Sequence, residues 1–346
     1  MSDYVEFSIR RILFPSLLTA TTQSALKLDT RWRSALRSAG RMDKVRRILV
    51  HVCKERAAPR RAQFVQSVTG HFSDGGADEV EVSCSLEKNQ FVLYRGDKGR
   101  GTPLKRPAFC PIKHLSVTEA AAIPLDVQER GIDVGVAIIL QTANQRVLLT
   151  RRAKELRIFP NVWVPPGGHV EPDETLLDAG LRELKEETGL KLEPEDVSPQ
   201  MLGLWESVYP PMLSRGLPQR HHIVIYMLLR SSLSHLQLQA SLSPSAAEVS
   251  ACLWADRRLV RAIVSAVDGE DAGLRLDDLP SGVSVSEVSS GGALTDSTLP
   301  VTVFVSRVPL SGPDVERVST GTKFALELWL KSLKSLKSLE TLTPDP

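Results

Sequence analysis

Three glutamates in the segment GHVEPDETLLDAGLRELKEETGL, residues 168–190, are spaced for chemistry with a divalent cation. On a helix, Glu183, Glu186 and Glu187 stand at i, i+3 and i+4 and share one face. Like charges at these spacings repel by about a few tenths of a kcal/mol per pair, so a sequence shaped only for stability would separate them. Mg²⁺ and Mn²⁺ prefer carboxylate oxygens and keep substrate phosphate oxygens in their coordination shell. The spacing therefore predicts a metal site that binds a diphosphate, and hydrolysis of that diphosphate by metal-activated water.

The residues around the glutamates predict the ends of this helix. Asp173 and Glu174 supply a capping-type residue and negative charge at its N-terminus. Gly189 stands where a glycine in the left-handed region would end it. A tight loop at residues 165–168 leads into the helix. The side opposite the acids is suited to burial and carries Leu177, Gly180, Leu181, Leu184 and Thr188.

The whole segment resembles the Nudix box, G-x5-E-x7-R-E-U-x-E-E-x-G-U with U aliphatic. A solvated acidic helix, the common explanation of a charge run, would account neither for the glycines nor for the spacing. The resemblance implies a Nudix hydrolase with an α/β/α sandwich around a mixed sheet, dependent on Mg²⁺ or Mn²⁺. The matching positions are Gly168, Glu174, Arg182, Glu183, Leu184, Glu186, Glu187, Gly189 and Leu190.

The resemblance also implies roles for the polar residues of the box. Glu183 and Glu187 would be the first metal ligands, and Glu186 would complete the set. Arg182 would orient the glutamates through an ion pair, with Glu174 as a partner.

The general base stays open between Glu183 and Glu248, which lies in the segment AEVSACLW. Many Nudix proteins place a catalytic acid in a loop at that point of the chain, although an exposed loop glutamate is an equal alternative. The intact glutamates argue against a site that has lost its catalytic activity, because such a site would have no reason to retain three acids that repel each other.

The segment between the two strands after the helix is a candidate for substrate choice, because the box handles only the diphosphate. Cationic groups beside an acid-rich metal site suit a polyanionic ligand, and aromatic rings can stack a nucleobase. Core packing of the aromatic residues and a structural role for the adjacent histidines are the alternatives. Taken alone, these residues indicate a nucleoside diphosphate derivative as substrate. The candidates are Trp205, Tyr209, Arg215, Arg220, His221 and His222.

A narrower resemblance rests on the segments WVPPGGHVEPDE, ESVYPPMLSRGLPQRHHIVIYML and STGTKFALELWL. They are similar to an mRNA-decapping branch of the Nudix family, over roughly residues 130–330. This resemblance implies hydrolysis of the 7-methylguanosine cap, with release of m7GDP and 5′-monophosphate RNA. Two alternatives stay open. One is a Nudix pyrophosphatase for coenzyme A, a dinucleotide or ADP-ribose, and the other is a Nudix domain that binds a nucleotide or RNA without cleaving it.

The order of apolar runs predicts an α/β Nudix domain at residues 128–330. GVAIIL at 135–140 is typical of a strand buried on both faces. The strand-like runs RVLLTRR, MLGLWESVY, HHIVIYMLL and ACLWA and a helix across 257–267 complete a mixed sheet with helices on its faces. Residues 266–300 have the composition of a flexible insertion. Strand-like VTVFVSRV and helix-like TKFALELWL follow, and the low-complexity tail at 331–346 is expected to be a frayed extension.

Residues 1–125 are predicted to form a smaller N-terminal region of unknown function. Residues 1–62 hold 14 Lys and Arg against 5 Asp and Glu, a local charge of +9, and are typical of a helix with a basic face. That face is either a solvated surface or a patch for RNA phosphates, and aromatic residues for stacking bases are scarce in it. Residues 64–125 contain strand-like runs, FVQSV, VEVSCSL and QFVLYRG, separated by turn residues.

The composition fits a folded protein of ordinary chemistry. The chain has 346 residues, 42% hydrophobic and 24% charged, with a formal net charge of +2. Its four cysteines lack the spacing of a zinc site or a disulfide framework, which favours a reducing compartment. We expect a cytoplasmic protein without a membrane span, and the Arg-rich N-terminus leaves mitochondrial import as the alternative. The sequence is compatible with a homodimer.

Overall fold

The structure is a computed structural model. It describes residues 47–346 except 55–57, 97, 98, 100, 269–279, 310, 312 and 341–346, and only the backbone of 335–340. The strands are β1 Leu49–Cys53, β2 Arg60–Arg61, β3 Glu79–Glu87, β4 Gln90–Arg95, β5 Thr102–Lys105, β6 Asp133–Gln141, β7 Val147–Arg152, β8 Val162–Val164, β9 Gly167–His169, β10 Val197–Tyr209, β11 Arg220–Ser231, β12 Val249–Ala255, β13 Gly282–Val288, β14 Leu294–Pro300 and β15 Arg317–Val318. The helices are α1 Val68–Phe72, α2 Pro111–His114, α3 Val117–Ala122, α4 Leu125–Gln128, α5 Leu176–Thr188, α6 His235–Gln239, α7 Arg257–Ser265, α8 Val301–Phe304 and α9 Thr320–Glu340.

Strand β6 is the centre of the sheet. It pairs in parallel with β11, and the ladder continues through β10, β5, β3, β4 and β1. Strand β1 then returns to β6 through the pair Leu49 and Asp133, so these strands form a closed ring. On its other side β6 connects to β7, and the sheet extends through β12, β13 and β14. The short β9 pairs with the first half of β6 and delivers the chain to α5.

Two hydrophobic cores lie on opposite faces of the central strands. Val136 and Ile138 of β6 face the first core, which also contains the apolar side of α5. Ala137 and Ile139 face the second core, where α7, α8 and α9 pack. This alternation is the reason that the GVAIIL run is apolar throughout, as the sequence predicted for a strand covered on both faces. The mixed sheet with helices on both faces confirms the predicted α/β/α sandwich.

The predicted basic helix of residues 1–62 is wrong for its described part. Residues 49–53 form strand β1, in which Val50 and Val52 are buried and alternate with partly exposed residues. The period of two and the β-branched side chains favour a strand over a helix, and pairing with β4 completes it. Residues 1–46 lie outside the described residues, and so do the basic face and any RNA-binding patch predicted there.

The strands of residues 79–105 are part of the same sheet as the Nudix strands. Strand β5 pairs with β10, and β1 pairs with β6, so the predicted boundary near residues 125–128 does not correspond to a break in the sheet. The strand-like run FVQSV is also different in the structure. Ser67 caps helix α1 there, because its side chain accepts a hydrogen bond from the backbone N–H of Gly70.

The C-terminal third differs from prediction in three places. Residues 282–300 form the hairpin β13–β14, and β13 pairs with β12, so this part of the predicted flexible insertion is ordered by the sheet. The strand-like VTVFVSRV begins as helix α8, because its apolar residues pack into the second core and do not join a ladder. Helix α9 continues to Glu340, and Leu333 of the predicted frayed tail is buried.

Among the described residues, no helix combines the length and the apolar character that crossing a bilayer requires.

Candidate active site

The box helix α5 begins at Leu176, two residues later than the predicted start at Glu174. Its N-cap is Thr175, whose hydroxyl accepts from the backbone N–H of Asp178, and the Asp178 side chain completes a capping box. Asp173 is not a cap; it lies in the preceding loop at φ 68°, where Asn89 bonds both its backbone N–H and its carboxylate. The helix ends as predicted at Gly189, which adopts the left-handed conformation at φ 75°.

Arg182 ties the acids of the box together. Its Nε and Nη2 donate to the carboxylate of Glu174 at 2.7 and 3.1 Å, which is the predicted ion pair. Its Nη1 donates to Glu183 at 2.8 Å and to Glu186 at 3.1 Å. Its Nη2 also donates to the carbonyl of His169 at 2.9 Å, which joins the helix to β9. One guanidinium therefore sets the positions of two candidate metal ligands.

Gly168 allows β9 to approach the helix. A Cβ at this position would collide with the carboxylate of Glu183. Gly180 of α5 allows the helix to approach β6 in the same way, since a Cβ there would strike Ile138 of β6. The close packing of α5 against β9 and β6 is the physical reason for glycine at these two positions.

Glu187 is buried, whereas the sequence predicted an acid presented on an open face. The pKa of Glu187 is raised to about 8, mainly by burial and also by the neighbouring carboxylates of Glu183 and Glu248. The charge of Arg152 and a hydrogen bond from the backbone N–H of Gly167 act in the opposite direction. Burial also raises the pKa of Glu183, although Arg182 opposes this shift. Glu186 remains more than half exposed, at 56% of its side chain.

The loop that carries Glu248 is fastened to the end of the box helix. The backbone N–H groups of Ser243 and Ser245 donate to the carbonyls of Thr188 and Glu187 at 2.9 and 3.0 Å. Glu248 itself is exposed and is close enough to raise the pKa of both Glu183 and Glu187. The structure thus brings the predicted loop acid to the glutamates of the box.

A cavity of about 250 Å³ lies beside the box. Gly167 and Gly168 form part of its wall, and Arg152 lines it while interacting with Glu187. Burial lowers the pKa of Arg152, and the charges of Glu187 and Glu248 oppose this shift. Phe109, Phe159 and Trp205 supply apolar surface, and Arg317 supplies a second cation. The cavity is therefore apolar with a few convergent charged groups, which is typical of a ligand site.

Two of the predicted substrate residues line this cavity and a third supports it. Trp205 and His222 are in its wall. Trp205 is largely buried and its ring packs against Phe324 at 5.5 Å, so it is a wall of the cavity and a core residue at once. Tyr209 meets the ring of Phe159 edge-on at 5.0 Å and holds that cavity residue in place.

Arg215 and His221 have structural roles instead of lining the cavity. Arg215 pairs with Asp314 at 3.0 Å and donates to the carbonyl of Pro309 at 3.1 Å. His221 is fully buried between the carbonyl of Phe64 and the carboxylate of Glu206, at 2.7 and 3.2 Å. The strand alternation explains the difference between the adjacent histidines, because His222 faces the cavity and His221 faces the opposite side.

Arg220 lies outside the cavity wall among other arginines. Burial and the nearby charges of Arg130 and Arg47 lower its pKa, and Asp133 opposes this shift.

Several residues in and beside the cavity were not predicted from the sequence. Arg152 ends the predicted strand RVLLTRR, and its position at a strand end was the available signal. Phe159 lies in the loop before β8, and Arg317 begins β15, which pairs with β8 far along the chain. No local sequence pattern marks either residue. Asp133 is the first residue of β6, and His169 is the second residue of the box segment. For Asp133, a polar residue beside an apolar run was a weak signal.

The carboxylate cluster fits a hard divalent cation. Its donors are all oxygen, and Glu187 lies buried beside Glu183 with Arg152 as the opposing charge. A buried acid next to another acid is costly unless a cation neutralises the pair. Glu183, Glu186 and Glu187 would hold Mg²⁺ or Mn²⁺, in agreement with the donor preference of these ions.

Comparison with known proteins agrees with the fold and the site. A sequence profile described as NUDIX domain matches residues 131–266. The chain is 62% identical to a Danio rerio protein over 85% of this chain and 98% of that protein. It is 50% identical to a Xenopus laevis protein over 84% and 97%, and 46% identical to a Homo sapiens protein over 80% and 85%. All three relatives carry the name m7GpppN-mRNA hydrolase NUDT17.

The chain belongs to the Nudix hydrolase family. Divalent-metal dependence is general in this family. The predicted resemblance to the Nudix box is thereby confirmed.

Proposed function

We propose that the protein hydrolyses the 7-methylguanosine cap of mRNA, releasing m7GDP and 5′-monophosphate RNA. The observation that carries the proposal is the position of the cavity beside the box. Gly168 belongs to both, and Arg152 lines the cavity while its charge interacts with that of Glu187. The names of the three relatives support the same substrate.

The size and lining of the cavity suit the base of the cap. At about 250 Å³ it lies below the roughly 300–1,000 Å³ of sites that enclose a drug-sized ligand, so it suits a single base better than a whole dinucleotide. The faces of Phe109 and Phe159 attract a cationic alkylated base. Arg152 and Arg317 can bind phosphate oxygens at the same time.

The polar residues around the box divide the work of hydrolysis. Bound Mg²⁺ or Mn²⁺ supplies Lewis-acid activation and neutralises charge at phosphorus. Glu183, Glu186 and Glu187 would hold the cation, and Arg182 keeps Glu183 and Glu186 oriented. Glu248 accepts the proton of the attacking water at its carboxylate, since Glu183 is already hydrogen-bonded to Arg182.

Parallel incubation of the full chain with four substrates tests the proposal. Cap-labelled RNA, coenzyme A, NADH and ADP-ribose are each incubated with Mg²⁺, and the products are identified by chromatography. We expect m7GDP from capped RNA at the highest kcat/KM. Selective turnover of coenzyme A or ADP-ribose would contradict decapping, and retention of labelled RNA without any product would indicate a binding protein.

The predicted cytoplasmic location suits a capped mRNA substrate, and we propose it on that ground. Fluorescence microscopy of the tagged full chain tests it, with mitochondrial import as the alternative outcome. The homodimer also stays a prediction, which sedimentation of the purified chain would test.

A further inference from the structure

A second group of possible metal ligands lies at the start of β6. Asp133, His169 and His222 come from β6, β9 and β11, and each offers one ligand atom within 4.8 Å of the other two. The carboxylate of Asp133 is 3.9 Å from Nε2 of His222, and the centroids of the two imidazole rings are 5.5 Å apart. Three separate strands therefore bring these side chains to one point.

This group is on the face of the sheet opposite the box glutamates. The Cβ direction of Gly168 points at Glu183, so the next residue along β9, His169, points to the other face. His169 and His222 line the cavity, whereas Glu183 and Glu187 do not belong to its described lining. The two sets of ligands are thus separated by the backbone of β9.

The donor chemistry also differs between the two sets. Two imidazole nitrogens and one carboxylate suit a borderline transition metal, and sites of three such ligands leave a fourth position open. The box glutamates are all-oxygen donors and suit a hard cation. We propose that Asp133, His169 and His222 bind Zn²⁺ or a similar borderline divalent ion, with the open position facing the cavity.

The three donor atoms are near enough for small side-chain movements to bring them to metal-ligand distances. Ligand bonds of about 2.0–2.2 Å require the donor atoms to approach each other by roughly 1 Å. His169 is exposed, so its side chain can make this movement without disturbing the core. Asp133 is buried and His222 is partly buried, and they provide the fixed side of the site.

Arg47 competes with a metal ion at this site. Its Nη1 lies 3.3 and 3.4 Å from the two carboxylate oxygens of Asp133. Since 43% of the Arg47 side chain is exposed, the guanidinium can leave Asp133 for solvent. A bound cation and Arg47 cannot both neutralise Asp133 in full, so removing the charge of Arg47 should strengthen metal binding. Binding of an anion at the same place would show the opposite dependence.

The test uses the full chain with the box disabled by Glu183→Gln and Glu187→Gln, so that Zn²⁺ binding at the box does not contribute. Zn²⁺ is titrated by calorimetry, and Co²⁺ is titrated in parallel with visible absorption as a readout of imidazole ligation. His169→Ala and His222→Ala are compared in this background. His114→Ala is the matched control, because His114 is exposed and bonds the carbonyl of Ala108 away from the site.

We expect one equivalent of Zn²⁺ in the background protein and an unchanged affinity in His114→Ala. Loss of an outer-shell partner typically costs about 10- to 100-fold in metal affinity, so loss of His169 or His222 should cost at least about 100-fold. Arg47→Gln should tighten Zn²⁺ binding. Unchanged affinity in His169→Ala, or weaker binding in Arg47→Gln, would overturn the proposal. His169→Ala keeps the test decisive if His222→Ala fails to fold.

The result is independent of the proposed decapping. Both readouts follow metal binding without RNA, so loss of cap hydrolysis and loss of this Zn²⁺ site can be observed separately.

Discussion

Arg182 and Glu174 form a two-point ion pair, with Nε to Oε1 at 2.7 Å and Nη2 to Oε2 at 3.1 Å. The pair holds the guanidinium so that its remaining donors reach Glu183 and Glu186. An ammonium group cannot reproduce this fork, because it is a compact point charge on a flexible stem. The geometry of the acid cluster therefore depends on an arginine that need not touch the substrate.

Arg182→Lys should lower kcat/KM for capped RNA by about 10- to 100-fold, the usual cost of losing a group that orients metal ligands. The reason is that Glu183 and Glu186 lose their shared hydrogen-bond donor. Steady-state kinetics and the Mg²⁺ concentration for half-maximal rate measure the effect. Arg157→Lys at an exposed position is the control. Equal kinetics in both variants would refute the orienting role.

Glu187→Gln should lower Mg²⁺-dependent hydrolysis by about 10³-fold, because metal ligation is worth several kcal/mol in the transition state. The free energy of unfolding without metal should stay the same or rise, since the neutral amide removes the cost of burying a carboxylate and the repulsion from Glu183 and Glu248, against a lost attraction to Arg152. Denaturant unfolding and single-turnover assays check the two outcomes. Glu171→Gln, an exposed acid outside the cluster, should change neither. Comparable turnover in the Glu187 variant and the parent protein would defeat the metal assignment.

Gly168→Ala should displace the carboxylate of Glu183, with which the added methyl group collides. A misplacement of this kind costs about 100-fold in rate. The variant is assayed for kcat beside Gly291→Ala, where the nearest neighbour of a new Cβ is 3.9 Å away. If the two variants have the same kcat, close packing at Gly168 is not required for activity.

Glu206→Gln should destabilise the fold by about 3 kcal/mol, because it breaks a buried charged network. Glu206 accepts hydrogen bonds from the backbone N–H groups of Val68 and Thr69 at 2.7 and 2.8 Å, and it bonds His221. Burial alone would raise the pKa of Glu206, but the hydrogen bonds and the charge of His221 lower it overall.

The sign of the pH dependence follows from that lowered pKa. The ionised carboxylate stabilises the fold at pH values above its ordinary pKa of 4.5, and this contribution is lost as the pH falls through the lower folded value. Urea unfolding between neutral and acid pH should show the loss in the parent protein and a flatter profile in Glu206→Gln. Parallel profiles in the two proteins would contradict the assignment.

Phe159→Ala should raise KM for capped RNA by about 10-fold with a smaller change in kcat, since stacking on an aromatic ring is worth about 1–3 kcal/mol per base. Phe159 lines the cavity and Tyr209 supports it. Leu125→Ala, at an exposed position, serves as the control. A fall in kcat without a change in KM would place Phe159 outside base recognition.

The sequence alone determined the chemistry of the box. Glu183, Glu186 and Glu187 stand at i, i+3 and i+4 of one helix, so local spacing is sufficient to place them together. The same is true of the glycine that ends the helix and of the reach from Arg182 to Glu174. These features depend on neighbours within about two helical turns, so they can be predicted from the sequence without knowledge of the fold.

Only the tertiary structure decided the burial of Glu187 and which residues line the cavity. Glu206 caps α1 across 138 residues of chain, and Trp163 bonds Glu316 across 153. Contacts at such separations depend on sheet order and strand register, which leave no local pattern in the sequence. Asp133, His169 and His222 meet for the same reason: three strands align at one end, and the alternation of their side chains sends these three to one face.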